Sequence, residues 1–314
     1  MMQARVGVAA EAEPELPAKP ARVPPAVQEQ QVPRRREVLR SLARDPLAIF
    51  GVVIVAGLVI VAVLAPWLAP YDPITPDIVS KLQPPSRIHF MGTDELGRDI
   101  FSRILYGARL SLWVAIIVLV VAGGIGVVLG GLAGYFGRWV EEGLMRVTDI
   151  FLAFPALVLA MAISAALGAS VGSGMVAISL VWWPVYARLV RGQVISIKNQ
   201  QFVESARSMG ASDLRLLFRH ILPNALGPVV VALTFDLGNA ILLTASLGFI
   251  GLGAQPPTAE WGAMIAKGKD YLLVHWWYAT FPGLAILIAV LGFSSLGGFF
   301  QSWVDPSLRL RRGS

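Results

Sequence analysis

The sequence predicts an all-α membrane protein that crosses the bilayer six times, and three observations support this. Of its 314 residues, 55% are hydrophobic and only 15% are charged, whereas about 25% are charged in a typical soluble domain. Beyond residue 45, six apolar runs reach the length of about 20 residues that a helix needs to span the hydrocarbon core. Basic residues accumulate in alternate segments between the runs, as they do on the cytoplasmic side of membrane proteins.

Composition also excludes several functions. The chain has no cysteine and only three histidines, which excludes disulfides, cysteine-ligated metal clusters and thiol nucleophiles. No metal site is therefore expected. The net charge of +6 follows the pattern of membrane topology, so we expect a lipid bilayer as the surroundings and no nucleic-acid partner.

Residues 1–45 are predicted to form a disordered cytoplasmic tail. Six prolines between residues 14 and 33 interrupt a stretch of Glu, Gln, Ala and Arg without apolar periodicity. Such a segment buries too little apolar surface to offset the entropy of ordering. A proline-rich ligand for a partner domain is the alternative.

The predicted spans follow the apolar runs in order. They cover residues 46–69, 110–135, 147–167, 175–194, 225–250 and 278–304, and the last five form a core over residues 108–304. Glycines recur at three- and four-residue spacing in the second span, which predicts close packing against another helix. These are Gly123, Gly124, Gly126, Gly130, Gly131 and Gly134.

Charge sets the orientation. Five arginines lie between residues 34 and 44, just before the first span, further basic residues lie between the fourth and fifth spans, and three arginines follow the sixth span in the tail 305–314. The opposite segments contain seven basic and seven acidic residues. The excess places both termini in the cytoplasm, which agrees with an even number of spans.

The outer segment, residues 70–107, begins with proline turns and is predicted to end in a short amphipathic helix. Asp94, Glu95 and Asp99 lie just before that helix. They could be considered calcium ligands, but they lack the regular ligand spacing and closing glutamate of an EF-hand loop.

The inner segment, residues 195–224, is predicted to form two short helices with a glycine elbow. Asn199 is a candidate N-cap of the first helix and Gly210 suits a left-handed C-terminal position. Ser212 is a candidate N-cap of the second helix, and Pro223 predicts a break before the fifth span.

Apolar and basic side chains alternate along this inner segment. The apolar residues are Val203, Ala206, Leu214, Leu217 and Phe218, and the basic residues are Arg207, Arg215 and Arg219. Two interpretations remain open at this point. The apolar side chains fit a groove on a partner, or the segment is a solvated loop with a basic face.

The same segment contains a family motif. Glu204, Ala206, Gly210, Leu222 and Pro223 match a pattern of Glu-Ala-Ala, three residues, Gly, nine residues and Ile-x-Leu-Pro. This resembles the EAA signature of binding-protein-dependent ABC transporter permeases. Ser205 and His220 depart from it.

Further stretches resemble the second permease subunit of the dipeptide, oligopeptide and nickel branch of that family. They are GTDELGRDIFSR (92–103), RVTDIFLAFP (146–155), ARLVRG (187–192), SLGFIGLGAQPPTAEWG (246–262), FPGLAIL (281–287) and the pair Asp305-Pro306. The resemblance covers residues 45–306. It departs at residues 296–302, which read LGGFFQS in place of a run with two acids and one arginine.

The resemblance implies a type I ABC importer permease fold with a cytoplasmic coupling helix, in a bacterial or archaeal cytoplasmic membrane. Partners would be a second permease subunit, two ATP-binding subunits and an extracytoplasmic solute-binding protein. The chain would not be an enzyme, since ATP and Mg would be bound by the ATPases; the sequence has no P-loop. The residues that would couple it to the ATPases are Glu204, Ala206, Gly210, Leu214, Leu217, Phe218 and Pro223.

Two polar residues lie deep in the fifth span. Asp236 and Asn239 share one helical face, and a buried charge needs a partner or a function. They either line the translocation pathway or form a polar clamp between helices. Asp149, three residues after Arg146 in the third span, is expected to pair with it.

Two other classes compete with the importer. An ion-coupled transporter or channel would favour inverted repeats with broken spans or more intramembrane acids, and an intramembrane hydrolase would need a nucleophile and base at membrane depth. Neither pattern is evident. The cargo is open among dipeptides, oligopeptides, glutathione, opines and nickel chelates.

Overall fold

The computed structural model describes residues 45–304, and within that range the chain is helical apart from loops and one isolated bridge between Thr93 and Asp99. The helices are α1 (Pro46–Leu68), α2 (Ile100–Phe136), α3 (Arg138–Leu152), α4 (Ala156–Leu167), α5 (Val171–Lys198), α6 (Gln201–Ser208), α7 (Asp213–Arg215), α8 (Leu222–Ile250), α9 (Trp261–Gly268) and α10 (Trp277–Val304). Residues 1–44 and 305–314, where the two terminal tails were predicted, lie outside the described residues. The all-α prediction is confirmed for the part described.

Five helices in residues 45–304 are long and apolar enough to cross a membrane: α1, α2, α5, the continuous helix Asp213–Ile250, and Trp277–Gln301 within α10. A sixth span exists only if α3 and α4 count as one, and these two helices are bent by 90°. Residues 147–167, predicted as one span, are therefore divided between two helices. Pro155 lacks an amide hydrogen and disfavours a helical conformation at Phe154, so α3 ends and a new helix begins at Ala156.

The second span is longer than predicted. Helix α2 runs without interruption from Ile100, so the separate amphipathic helix expected before residue 107 is the first part of α2. Asp99 caps this helix, since its carboxylate accepts the Ser102 backbone N–H at 2.8 Å.

Helices α2 and α5 form the centre of the bundle. A Cβ atom added at Gly130 would lie 2.2 Å from the carbonyl oxygen of Ala187, and one added at Gly126 would lie 2.4 Å from the Cβ of Tyr186. The two backbones therefore touch where glycine removes the side chain. This confirms the predicted close packing of the second span.

The bundle brings the inner segment to one end of α2. Helix α6 follows α5 directly, and α7 continues into α8 through a π-helical turn, Leu216–Ile221. At the other end of α2, the loop of residues 69–99 and the helix α9 cover the ends of α8 and α10.

Candidate functional site

The site is the elbow between α6 and α7, which the sequence predicts to lie in the cytoplasm. Gln200, not Asn199, is the N-cap of α6: its backbone is extended, whereas Asn199 ends α5. The predicted capping by Asn199 is wrong because α5 continues to Lys198, one turn further than the predicted fourth span. Gln200 makes no side-chain capping bond.

Gly210 has the predicted left-handed backbone, with φ of +85°. The Gly210 N–H donates to the Arg207 carbonyl at 2.9 Å, and the Ala211 N–H donates to the Ala206 carbonyl at 3.2 Å. This pair of bonds is a Schellman motif, which ends a helix at a glycine. A Cβ atom at Gly210 would meet nothing within 4 Å, so the requirement for glycine is conformational and not steric.

The second half of the elbow differs from the prediction. Ser212 occupies the N-cap position of α7, but its side chain makes no capping bond. Pro223 does not break the chain, because the helix Asp213–Ile250 passes through it. Pro223, which has no backbone N–H, lies just after the π turn at the start of α8. Nearby, the Asn224 side-chain amide donates to the His220 carbonyl at 2.6 Å.

Burial divides the predicted coupling residues into two groups. Ala206 and Leu217 are buried in this chain's own core, together with Val203, and are therefore not part of its free surface. Leu214 is 60% exposed and Phe218 is 49% exposed. With Met209, which is 81% exposed, they form the apolar surface of the elbow, here called the elbow patch; the sequence analysis missed Met209.

Glu204 and Pro223 are both exposed. Glu204 lies in the first turn of α6, where a negative charge interacts favourably with the helix dipole. Among residues 45–304 it has no ion-pair partner. Its carboxylate is therefore free to pair with a basic group outside this chain.

Two ion pairs attach α3 to α5 beside the elbow. Arg191 Nε donates to Glu141 at 2.7 Å, and Arg188 donates to Asp149 at 2.6 Å. The predicted pair of Arg146 with Asp149 is wrong, since Arg146 pairs with Glu142 at 2.5 Å. Residues three and four apart on a helix are both neighbours, so the local spacing alone does not select between Glu142 and Asp149 as the partner of Arg146.

Asp236 in α8 is hydrogen-bonded to one residue of α5 and to one neighbour on its own helix. The buried hydroxyl of Tyr186 in α5 donates to one carboxylate oxygen at 2.7 Å, and the Asn239 amide donates to the other at 3.2 Å. Asp236 is half-buried and Asn239 is exposed. The geometry is that of a polar link between α5 and α8 whose remaining surface faces out of the chain.

The acids considered as calcium ligands have other partners. Asp94 accepts from Arg98 at 2.7 Å, Glu95 accepts from the Tyr278 hydroxyl, and Asp99 is 3.0 Å from His89 Nδ1. Between residues 45 and 304, no three His, Asp or Glu side chains form a group that could bind a metal. The acids instead hold the outer loop in place.

Glu260 is a further polar residue that the sequence analysis missed. It caps α9, accepting the backbone N–H groups of Gly262 at 2.9 Å and Ala263 at 2.7 Å. Only 2% of its surface is exposed, and this burial raises its pKa to about 7 even though both hydrogen bonds lower it. A Cβ atom at Gly248 would lie 2.0 Å from its carboxylate, so the group is enclosed by α8.

Comparison with known proteins identifies the chain. Residues 126–310 match the family described as the binding-protein-dependent transport system inner membrane component. The chain belongs to this family. Residues 34–85 also match the N-terminal TM domain of oligopeptide transport permease C, so the resemblance noted above is confirmed.

Three relatives match most of the permease. The probable D,D-dipeptide transport system permease protein DdpC of Escherichia coli K12 is 45% identical over 84% of this chain and 89% of its own length. The dipeptide transport system permease protein DppC of Alkalihalophilus pseudofirmus is 41% identical over 95% and 98%. The glutathione transport system permease protein GsiD of Escherichia coli O6:K15:H31 is 42% identical over 87% and 90%.

A solved structure is also similar. The inward-facing MetNI methionine ABC transporter aligns with 62% of this chain and 94% of its own, at a TM-score of 0.48 and 20% identity. The family and the relatives place the permease in the inner membrane as a multi-pass transport subunit of an ABC importer, not as an enzyme.

Proposed function

We propose that the permease carries peptides, as dipeptides, oligopeptides or similar small solutes, across the cytoplasmic membrane. The relatives named for dipeptide transport are 41–45% identical to it over most of its length. The observation that carries the coupling part of this proposal is the elbow, where a Schellman glycine at Gly210 presents the elbow patch beside a free Glu204.

The proposed complex contains this permease, a second permease subunit, two ATP-binding subunits and an extracytoplasmic solute-binding protein. Both termini and the elbow face the cytoplasm in this arrangement. The ATPases bind ATP and Mg, close on ATP and displace the elbow, and the paired permeases then alternate between outward and inward openings. Leu214 and Phe218 insert into a groove on the ATPase, with Glu204 at its edge.

The buried coupling residues act indirectly in this proposal. Ala206 and Leu217 hold the elbow against the bundle, since both lie in the core cluster that includes α2, α5 and α8. Gly210 fixes the angle between α6 and α7, and Pro223 begins α8 after the π turn. A force on the elbow patch therefore passes into the spans through packed side chains.

Asp236 and Asn239 are proposed to line the translocation pathway. Both project from α8, and the Tyr186 hydroxyl orients the carboxylate of Asp236, so that its free surface is available to a peptide amine or amide. Tyr186→Phe separates the two interpretations of this residue. It is expected to alter uptake kinetics if Asp236 contacts cargo, and to lower only complex stability if Asp236 is a clamp.

Glutathione is the alternative cargo that a specific observation favours, because GsiD is 42% identical; opines and nickel chelates are carried by no relative named above. The test is uptake into proteoliposomes that contain the permease, its partner permease and the two ATPases. Alanyl-alanine, a pentapeptide and glutathione are offered in turn with the cognate binding protein. Peptide uptake that requires ATP supports the proposal, whereas ATP-dependent uptake of glutathione alone contradicts it.

A further inference from the structure

Helix α2 is attached to the elbow at its inner end. The Tyr135 hydroxyl donates to the Asp213 carboxylate at 2.6 Å, and the Lys198 ammonium donates to the Gly134 carbonyl at 2.8 Å. Lys198 ends α5 and Asp213 begins α7. The last residue of α5, which precedes α6, and the residue that begins α7 are therefore bonded to two consecutive residues in the last turn of α2.

The outer end of α2 is attached to the extracytoplasmic loops. Arg103, which is buried, donates to the Pro73 carbonyl at 2.6 Å and lies 3.5 Å from Asp94. Its guanidinium also reaches the carbonyls of Pro257 and Thr258 at 3.4 and 3.5 Å. The single side chain of Arg103 thus connects α2 to two separate outer loops.

Between these ends α2 is one continuous helix, Ile100–Phe136. The other four continuous spans each contain an internal proline, at Pro66, Pro184, Pro228 and Pro282, whereas α2 contains none. A proline removes one backbone bond and permits bending. The 32 residues from Arg103 to Tyr135 span about 48 Å at 1.5 Å per residue, the full thickness of a bilayer.

We infer that α2 is the rod that transmits movement between the outer loops and the elbow, and that Tyr135 is a positioning residue for coupling. The inference rests on the proposed function and names the path by which movement of the outer loops reaches the elbow. Movement of the outer loops when the binding protein docks shifts α2 through Arg103. The shift reaches the elbow at Asp213 through the Tyr135 hydroxyl, without passing through the connection between α5 and α6.

The test is Tyr135→Phe, which removes one oxygen atom and keeps the aromatic ring. The matched control is Tyr106→Phe on the same helix, because the Tyr106 hydroxyl has no hydrogen-bond partner within residues 45–304. Purified complexes in nanodiscs are assayed for ATP hydrolysis with the binding protein empty and loaded with alanyl-alanine or glutathione, whichever it retains. ATPase retention and basal hydrolysis are measured on the same samples.

Tyr135→Phe is expected to reduce the stimulation by loaded binding protein about fivefold, the size of effect that losing one partly exposed hydrogen bond to a charged group produces. Basal hydrolysis and ATPase retention should stay at the wild-type level, as should every property of Tyr106→Phe. Asp213→Asn keeps an acceptor for Tyr135 and should retain most of the stimulation. Asp213→Ala should lose it, and combining Asp213→Ala with Tyr135→Phe should cause no further loss.

Full stimulation of Tyr135→Phe beside a stimulated wild type overturns the inference and leaves the proposed function standing. A loss of stimulation that is accompanied by lost ATPase or lost basal hydrolysis also overturns it, because Tyr135 would then serve only assembly. A wild-type complex that binds no ATPase and shows no stimulation overturns the proposed function itself, and the inference with it.

Discussion

Replacing Gly210 with valine perturbs the elbow without removing any contact. The residue has a φ of +85°, and a Cβ atom there would meet nothing within 4 Å. The cost is therefore one of backbone conformation, about 1–2 kcal/mol for a side chain in the left-handed region, and valine lies at the upper end because it is branched at Cβ. A cost of about 2 kcal/mol shifts the balance between a seated and a displaced elbow roughly thirtyfold.

The displaced elbow moves Leu214 and Phe218 relative to their proposed groove, whereas the spans are unaltered and the subunit should still insert. Substrate-stimulated ATPase activity of the purified Gly210→Val complex should fall, with weaker retention of the ATPase subunits. Gly210→Asn is the graded comparison, because asparagine tolerates this conformation better than valine. Gly192→Ala is the control, since Gly192 lies inside α5 with open space around its Cβ position and alanine favours the helix.

Equal stimulation and equal ATPase retention in wild type and Gly210→Val would show that the left-handed elbow does not couple to the ATPases. A defect of the same size in Gly192→Ala would show that the assay reports general destabilisation instead.

Three further outcomes are expected. Asp236→Ala should impair uptake while the complex still assembles; normal uptake with poor assembly would make it a helix clamp. Glu260 keeps its proton in the folded state up to pH of about 7 but loses it near 4.5 when unfolded, so this group contributes stability that is fully present below pH 4.5 and is lost as the pH rises to 7. The free energy of unfolding of the wild type, relative to that of Glu260→Gln, should fall across that window by up to about 3 kcal/mol. A difference in unfolding free energy that stays constant from pH 4.5 to 7 would contradict the burial of Glu260. A reporter inserted near Gly210 should be cytoplasmic and one near Pro84 extracytoplasmic; finding both on one side would refute the proposed topology.

Much of the fold follows from local sequence. Apolar length and glycine spacing identify the long spans and the tight face of α2, because both properties belong to a single helix. The left-handed Gly210 follows for the same reason. The bend at Pro155 was also visible locally, but the apolar run on both sides of it favoured one continuous span.

The elbow shows where local patterns are insufficient. A π turn adds one residue to a helical turn, so it changes which side chains face inward after Arg215. Leu217 is consequently buried while Phe218 is half exposed. The apolar periodicity of the sequence does not indicate where a π turn occurs. The clustering of apolar residues alone therefore predicts that Leu217 and Phe218 both lie on the outer surface.

Contacts between residues far apart in the sequence cannot be predicted from local patterns. Tyr135 and Asp213 are separated by 78 positions, and the link from Tyr186 to Asp236 depends on how α5 and α8 pack. By contrast, the pair of Asp94 and Arg98 has i, i+4 spacing and could have been identified. Three acids close together in this segment also suggest metal ligands, and that pattern conceals the ion pair in the sequence.

The close backbone contact between α2 and α5 can form only after α5 has been synthesised. Helix α2 leaves the ribosome first, and residues 137–170, including the right-angled pair α3 and α4, are made before α5 begins. At a synthesis rate of about 5–20 residues per second, the glycine face of α2 lacks its contact with α5 for a few seconds. During that interval the insertion machinery or lipid covers this face, and a substitution that gives it a competing partner is expected to prevent α5 from packing against α2.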